Sequence, residues 1–140
     1  MKLNPSTRIA VGNWVADALP RLGLGQWEIT VAEEAAAEDA WADVEPHAYD
    51  PRATMRIGSG LEAQTPERQR LILTHELVHL FLQPLDRYTA SMESTHGSVW
   101  YGAWYPGYDD HLEQATERIA KSIAPHLPLP RIGGKTGKAK

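Results

Sequence analysis

Apolar residues recur at helical spacing from Ser6 to Leu22: Ile9, Val11, Trp14, Val15, Ala18, Leu19 and Leu22. This predicts a first helix, with Ser6 or Thr7 as its cap and Gly23-Leu24-Gly25 as its stop. From Gln26 to Val31 the period changes to two, with Trp27, Ile29 and Val31 on one side, which predicts a strand. Ala32 to Ala40 is rich in Ala and Glu and suits a loop or a short helical turn. Trp41 to Glu45 is a weaker strand candidate. Ala53 to Ile57 is a third, with Met55 and Ile57 opposite Thr54 and Arg56. Asp50-Pro51 before it and Gly58-Ser59-Gly60 after it read as turns.

A longer apolar run follows. Thr65 suits an N-cap, Pro66 the first helical position, and Glu67 the positive end of a helix. The helix is expected to run from Pro66 to about Gln83 and to end at Pro84. Between Leu71 and Leu82 its only polar side chains are Thr74, His75, Glu76 and His79. A helix this apolar on all sides should be buried. Asp86 to Pro106 is expected to be an irregular covering segment rich in aromatics, with room for a short helix. Asp109 or Asp110 can cap a last helix that ends near Ala124, with Leu112, Thr116, Ile119 and Ile123 as its apolar stripe. Pro125 to Pro130 should be extended or disordered.

The pattern gives an α+β domain over residues 1–130: an N-terminal helix, a small, mainly antiparallel three-stranded sheet, a buried helix and a C-terminal helix. Residues 131–140 form a basic Gly/Lys tail that is expected to be disordered. At 140 residues the chain can bury a core without disulfides, and it has no Cys. Thiolate-ligated metal is therefore excluded, and any metal site must use His and carboxylates. A cytoplasmic location is compatible with the absence of Cys. The opening residues Met1-Lys2-Leu3-Asn4-Pro5 lack the apolar stretch of a signal peptide, and no run approaches a membrane span. The net charge of −4 gives no reason to expect nucleic-acid binding. Charge is uneven: eight acids and no Lys or Arg lie between Glu28 and Asp50, and the tail is basic. Both stretches suit solvated surface.

The chemistry concentrates in His75-Glu76-Leu77-Val78-His79, an HExxH pattern on the buried helix. Residues four apart on a helix share a face, so two imidazoles there can address one Zn²⁺. The intervening Glu76 can take a proton from a water on the open side of the metal. Burying two histidines and a glutamate without partners is costly, and a cation removes that cost for all three. Leu82 and Leu85 stand where the extended metzincin motif requires Gly and His, which excludes that class. The last helix offers Glu113 and Glu117, four apart on one face, with Glu113 beside the apolar stripe. Either could be the third ligand. His96, Asp109, Asp110 and His111 are rivals that also suit loop or capping roles.

The order helix, strands, HExxH helix, Glu-bearing helix resembles small zincins of the gluzincin type. It is similar to minimal metallopeptidases of the ImmA/IrrE kind and to small zincin-like proteins of actinobacterial phages. The resemblance covers about Gln26 to Ala124. It implies a zinc-dependent peptidase acting on a peptide or protein substrate. His75, His79 and Glu113 would then be the ligands, Glu76 the general base, and Glu117 an acid supporting the first histidine. Tyr88, Tyr101, Tyr105, Tyr108, His96 or His111 could supply an oxyanion donor, and the strand Ala53 to Ile57 could align the substrate. The alternative is a binding or structural protein that keeps the fold and the metal without turnover.

Overall fold

Asn4, two residues earlier than expected, starts the first helix. Its side chain accepts the Ser6 backbone N–H at 3.0 Å, with Pro5 in the first turn, and α1 spans Pro5–Arg21. Thr7 is buried and donates instead to Glu62 Oε2 at 2.8 Å. The computed structural model describes residues 2–133. Three strands follow: β1 Glu28–Val31, β2 Ala42–Pro46 and β3 Arg52–Ile57. Ala32 to Ala40 forms no helix. Leu3 N–H reaches Glu33 O at 2.7 Å, and Ala36 N–H reaches Ile57 O at 3.1 Å.

β3 is central, parallel to β1 and antiparallel to β2. The sheet is therefore mixed, where a mainly antiparallel one was expected. A short turn joins β2 to β3 and forces them to run in opposite directions. The longer segment after β1 carries the chain across, so β1 and β3 share a direction. Alternating side chains encode faces but not directions. Ala53, Met55 and Ile57 point into the core, as their alternation predicts.

That core lies between one face of the sheet and two helices. α1 contributes Val11, Trp14, Val15 and Ala18. α2, Pro66–Ala90, contributes Ile72, Leu73, Leu77 and Leu80. Thr65 caps α2, accepting Arg68 N–H at 3.2 Å. At the end of β3, Gly58 donates its N–H to Trp41 O at 2.8 Å, and a Cβ there would run into the Ala40 carbonyl oxygen. Only glycine lets the start of β2 approach this closely.

The largest departure from expectation lies after Gln83. α2 does not stop at Pro84 but continues to Ala90. A short helix, α3, spans Met92–His96, and α4 spans Ser98–Ile123 with Pro106 inside it. Asp86 to Pro106 is thus mostly helical, and Asp109 and Asp110 lie mid-helix rather than at a cap. Aromatic side chains one turn apart make the difference. Trp100 stacks on Trp104 at 5.4 Å between ring centroids, Trp104 on Tyr108 at 5.2 Å, and Tyr101 on Tyr105 at 5.3 Å.

After α4, a 3₁₀ turn at Ala124–His126 leads the chain back across α1. Trp14 Nε1 donates to Pro128 O at 2.7 Å, Arg70 donates to Leu127 O at 3.0 Å, and Leu127 and Ile132 are buried. Pro125 to Pro130 is therefore packed, and the start of the 131–140 tail is packed with it. Residues 134–140 lie outside the described residues. No described helix is long and apolar enough to cross a membrane.

Replacing Gly58 with Ala should lower unfolding stability by roughly 1–3 kcal/mol, because backbone must yield to the new methyl. Denaturant melts compared with Gly12→Ala, whose added Cβ meets nothing within 4 Å, would check this.

Candidate metal centre

α4 lies antiparallel along α2, which brings two glutamates onto the histidines. Glu113 sits between the rings. Its Oε1 is 3.1 Å from His75 Nε2, and its Oε2 is 3.1 Å from His79 Nε2. One turn on, Glu117 Oε1 is 2.9 Å from His75 Nδ1. The other Glu117 oxygen is 3.6 Å from Lys121 Nζ. The two imidazoles meet edge to face at 5.0 Å between centroids. His75, Glu76 and His79 can each offer one ligand atom with all three atoms within 4.8 Å of one another.

This donor set suits a divalent cation. Ligand atoms at 2.0–2.1 Å around a tetrahedral ion lie about 3.3 Å apart, close to the spacing of Glu113 from each ring nitrogen. Glu117 is placed to accept the Nδ1 proton of His75, and that tautomer turns the Nε2 lone pair toward Glu113. A lone pair facing a carboxylate oxygen at this distance needs positive charge between them, as protons or as a metal.

Burial pushes the Glu76 carboxyl up to about 8. The Glu113 and Asp43 carboxylates add to the shift, and the Val44 backbone N–H offsets it only in part. Burial likewise holds His79 below its ordinary value; Glu113 acts against this and His75 acts with it. A neutral imidazole is the form that binds a metal.

Two clefts meet at this cluster, and β2 flanks both. One, of about 260 Å³, is lined by Trp41, Arg68, Leu71 and Ile72 together with His75 and Glu76. The other, of about 310 Å³, is lined by Asp43, Val44, Pro46, Leu82 and Asp86 together with His79 and Glu113. β2 is an edge strand, whereas β3 is paired on both sides. The strand bordering the site is thus Ala42–Pro46, not Ala53 to Ile57 as expected. The reason is sheet order, which sequence alternation does not carry.

The structure gathers His75, Glu76, His79, Glu113 and Glu117 in one place. It sets His96 against Trp100, at 4.6 Å between centroids, and ties His111 Nδ1 to Gly107 O at 2.8 Å. Asp110 accepts from Gln114 at 2.9 Å. Tyr88 is exposed, and no tyrosine lines either cleft among the described residues. Trp41, Arg68, Asp43 and Asp86 went unremarked as site residues in the sequence. Asp86, two turns after His79, and Arg68, two turns before His75, lie on that helix face and carried a periodic signal. No family model matches this chain, and no match is found among curated proteins or solved structures.

In protein stripped of metal by a chelator, Glu76 should make stability depend on pH. A carboxyl whose folded pKa is raised contributes stability below its unfolded value of 4.5, and that stability is lost as pH climbs toward 8. The loss should amount to roughly 3 kcal/mol. Glu76→Gln should flatten that part of the profile. Thermal melts of both chelated proteins from pH 5 to 8 would show it; parallel profiles would contradict it.

Proposed function

We propose that the protein is a zinc-dependent metallopeptidase of the small gluzincin-like kind. The observation that carries this reading is the Glu113 carboxylate, 3.1 Å from both His75 Nε2 and His79 Nε2, with the half-buried Glu76 beside them. Two imidazoles and one carboxylate form a catalytic zinc set that leaves a coordination position open.

His75, His79 and Glu113 would hold the cation, and Glu117 fixes the His75 ring through Nδ1. Bound there, zinc supplies polarisation of a peptide carbonyl and acidification of a water. Glu76 does the proton work: it takes the proton of the attacking water and passes it to the leaving amine. The outer edge of β2, where the Val44 N–H already turns to Glu76, offers its remaining backbone groups to an extended peptide, which would then run past Glu76 from one cleft to the other. We place this activity in the cytoplasm, a reading with which the cysteine-free chain is compatible.

Glu76→Gln should retain stoichiometric zinc and lose peptide hydrolysis by at least about a hundredfold. Elemental analysis and a peptide-cleavage assay on untagged protein test both halves. Full turnover in this variant would remove Glu76 from its role.

The two glutamates should separate by metal affinity. Glu117→Ala should weaken zinc binding by about 10–100-fold, as for other groups that orient a ligand. Glu113→Ala, which removes a ligand outright, should weaken it further. Competition against a chromogenic chelator measures the order, and the reverse order would exchange their assignments.

A further inference from the structure

The two clefts beside Glu76 differ in charge. At the Trp41 end the lining is apolar apart from Arg68 and the site residues, and Arg68 lies 6.0 Å over the Trp41 ring. At the Pro46 end the charged lining residues are Asp43, Glu76, Asp86 and Glu113, with no Lys or Arg. Three of these are committed. Asp43 accepts from Arg56 Nε at 2.9 Å, and Glu76 and Glu113 belong to the centre. Asp86 has no basic partner among the described residues. Its backbone oxygen, not its carboxylate, takes the Thr89 hydroxyl.

Asp86 is seven residues after His79, so it lies on the same face of α2, about 10.5 Å along the axis. Three residues of extended chain cover that distance at about 3.3 Å each. A peptide on the edge of β2 would therefore bring a residue close to the scissile bond within reach of Asp86. The carboxylate belongs to the lining of this cleft. A long cationic side chain there would meet a carboxylate with no basic partner among the described residues.

We infer that the Pro46-side cleft selects a Lys or Arg of the substrate, with Asp86 as the specificity-determining residue. This rests on the peptidase reading above for its substrate class. The opposite cleft, with Trp41, Leu71, Ile72 and Arg68, takes an apolar side chain and rejects a basic one. The selection is thus one-sided, which a general attraction between an acidic protein and a cationic peptide would not produce.

The test uses the zinc-loaded full chain and quenched fluorescent peptides that differ at one position, carrying Lys, norleucine or Glu. The position is scanned over three residues on each side of the cleaved bond. Lys should exceed norleucine by about tenfold in kcat/KM, mainly through KM, on one side only. Asp86→Asn should bring that ratio close to one, and Asp86→Lys should turn the preference toward Glu. Equal preference on both sides, or an unchanged ratio in Asp86→Asn, would overturn the inference. Binding of the same peptides to zinc-loaded Glu76→Gln, followed by fluorescence anisotropy, keeps the two readings apart. A Lys preference there that vanishes in Glu76→Gln/Asp86→Asn supports the cleft assignment even if wild type cleaves nothing. Absence of any Lys preference in binding sinks the assignment even if wild type is an active peptidase.

Discussion

Two imidazole nitrogens and a carboxylate are held where only positive charge between them makes the arrangement favourable. The Glu113 oxygens stand 3.1 Å from His75 Nε2 and His79 Nε2. Two helices impose this geometry. α2 is fixed by its core residues Leu73 and Leu77 against the sheet, and α4 by Thr116 and Ala120 on its inner face. The spacing of four in both helices does the rest, since His75 and His79 meet Glu117 and Glu113 in antiparallel order. Glu117 then decides which ring nitrogen of His75 carries the proton, and so which one faces the centre.

The sheet contributes an edge rather than a face. β3 is enclosed by its two neighbours, and β2 is left to border the His/Glu cluster, with a cleft at either end of it. Its position depends on Gly58, where the missing side chain lets Trp41 and Ala40 close in. One wall of the Trp41-side cleft therefore rests on a glycine at the far end of a different strand. The opposite cleft takes its charge from α2 itself, through Asp86, and from β2, through Asp43.

The local elements were legible because each repeats on a short period. The 3.6-residue pattern located α1, a capped apolar run located the start of α2, and alternation located β1, β3 and the inward residues Met55 and Ile57, with β2 legible only as a weaker candidate. His75, Glu76 and His79 were readable as a motif, and Glu113 and Glu117 as a pair with the same spacing. What could not be read depended on relations between elements. Strand direction and sheet order moved the site's border from β3 to β2. Pro84 suggested the end of a helix and the aromatic segment after it suggested irregular chain, whereas stacking between aromatic side chains one turn apart accompanies helix there. The spacing of Trp100, Trp104 and Tyr108 held that information. Pro125 to Pro130 looked like a free end because the indole N–H of Trp14 that anchors it is more than a hundred positions away.

The prolines inside α2 and α4 have a mechanical consequence. Each lacks an amide hydrogen, so the Leu80 and Gly102 carbonyls have no intrahelical donor. Because 75 meets 117 and 79 meets 113, Pro84 and Pro106 fall at nearly the same height in the hairpin. Beyond that level the paired helices bury only Thr89 among the described residues. With so little buried there, the hairpin tip should open at a lower free-energy cost than the turns below it.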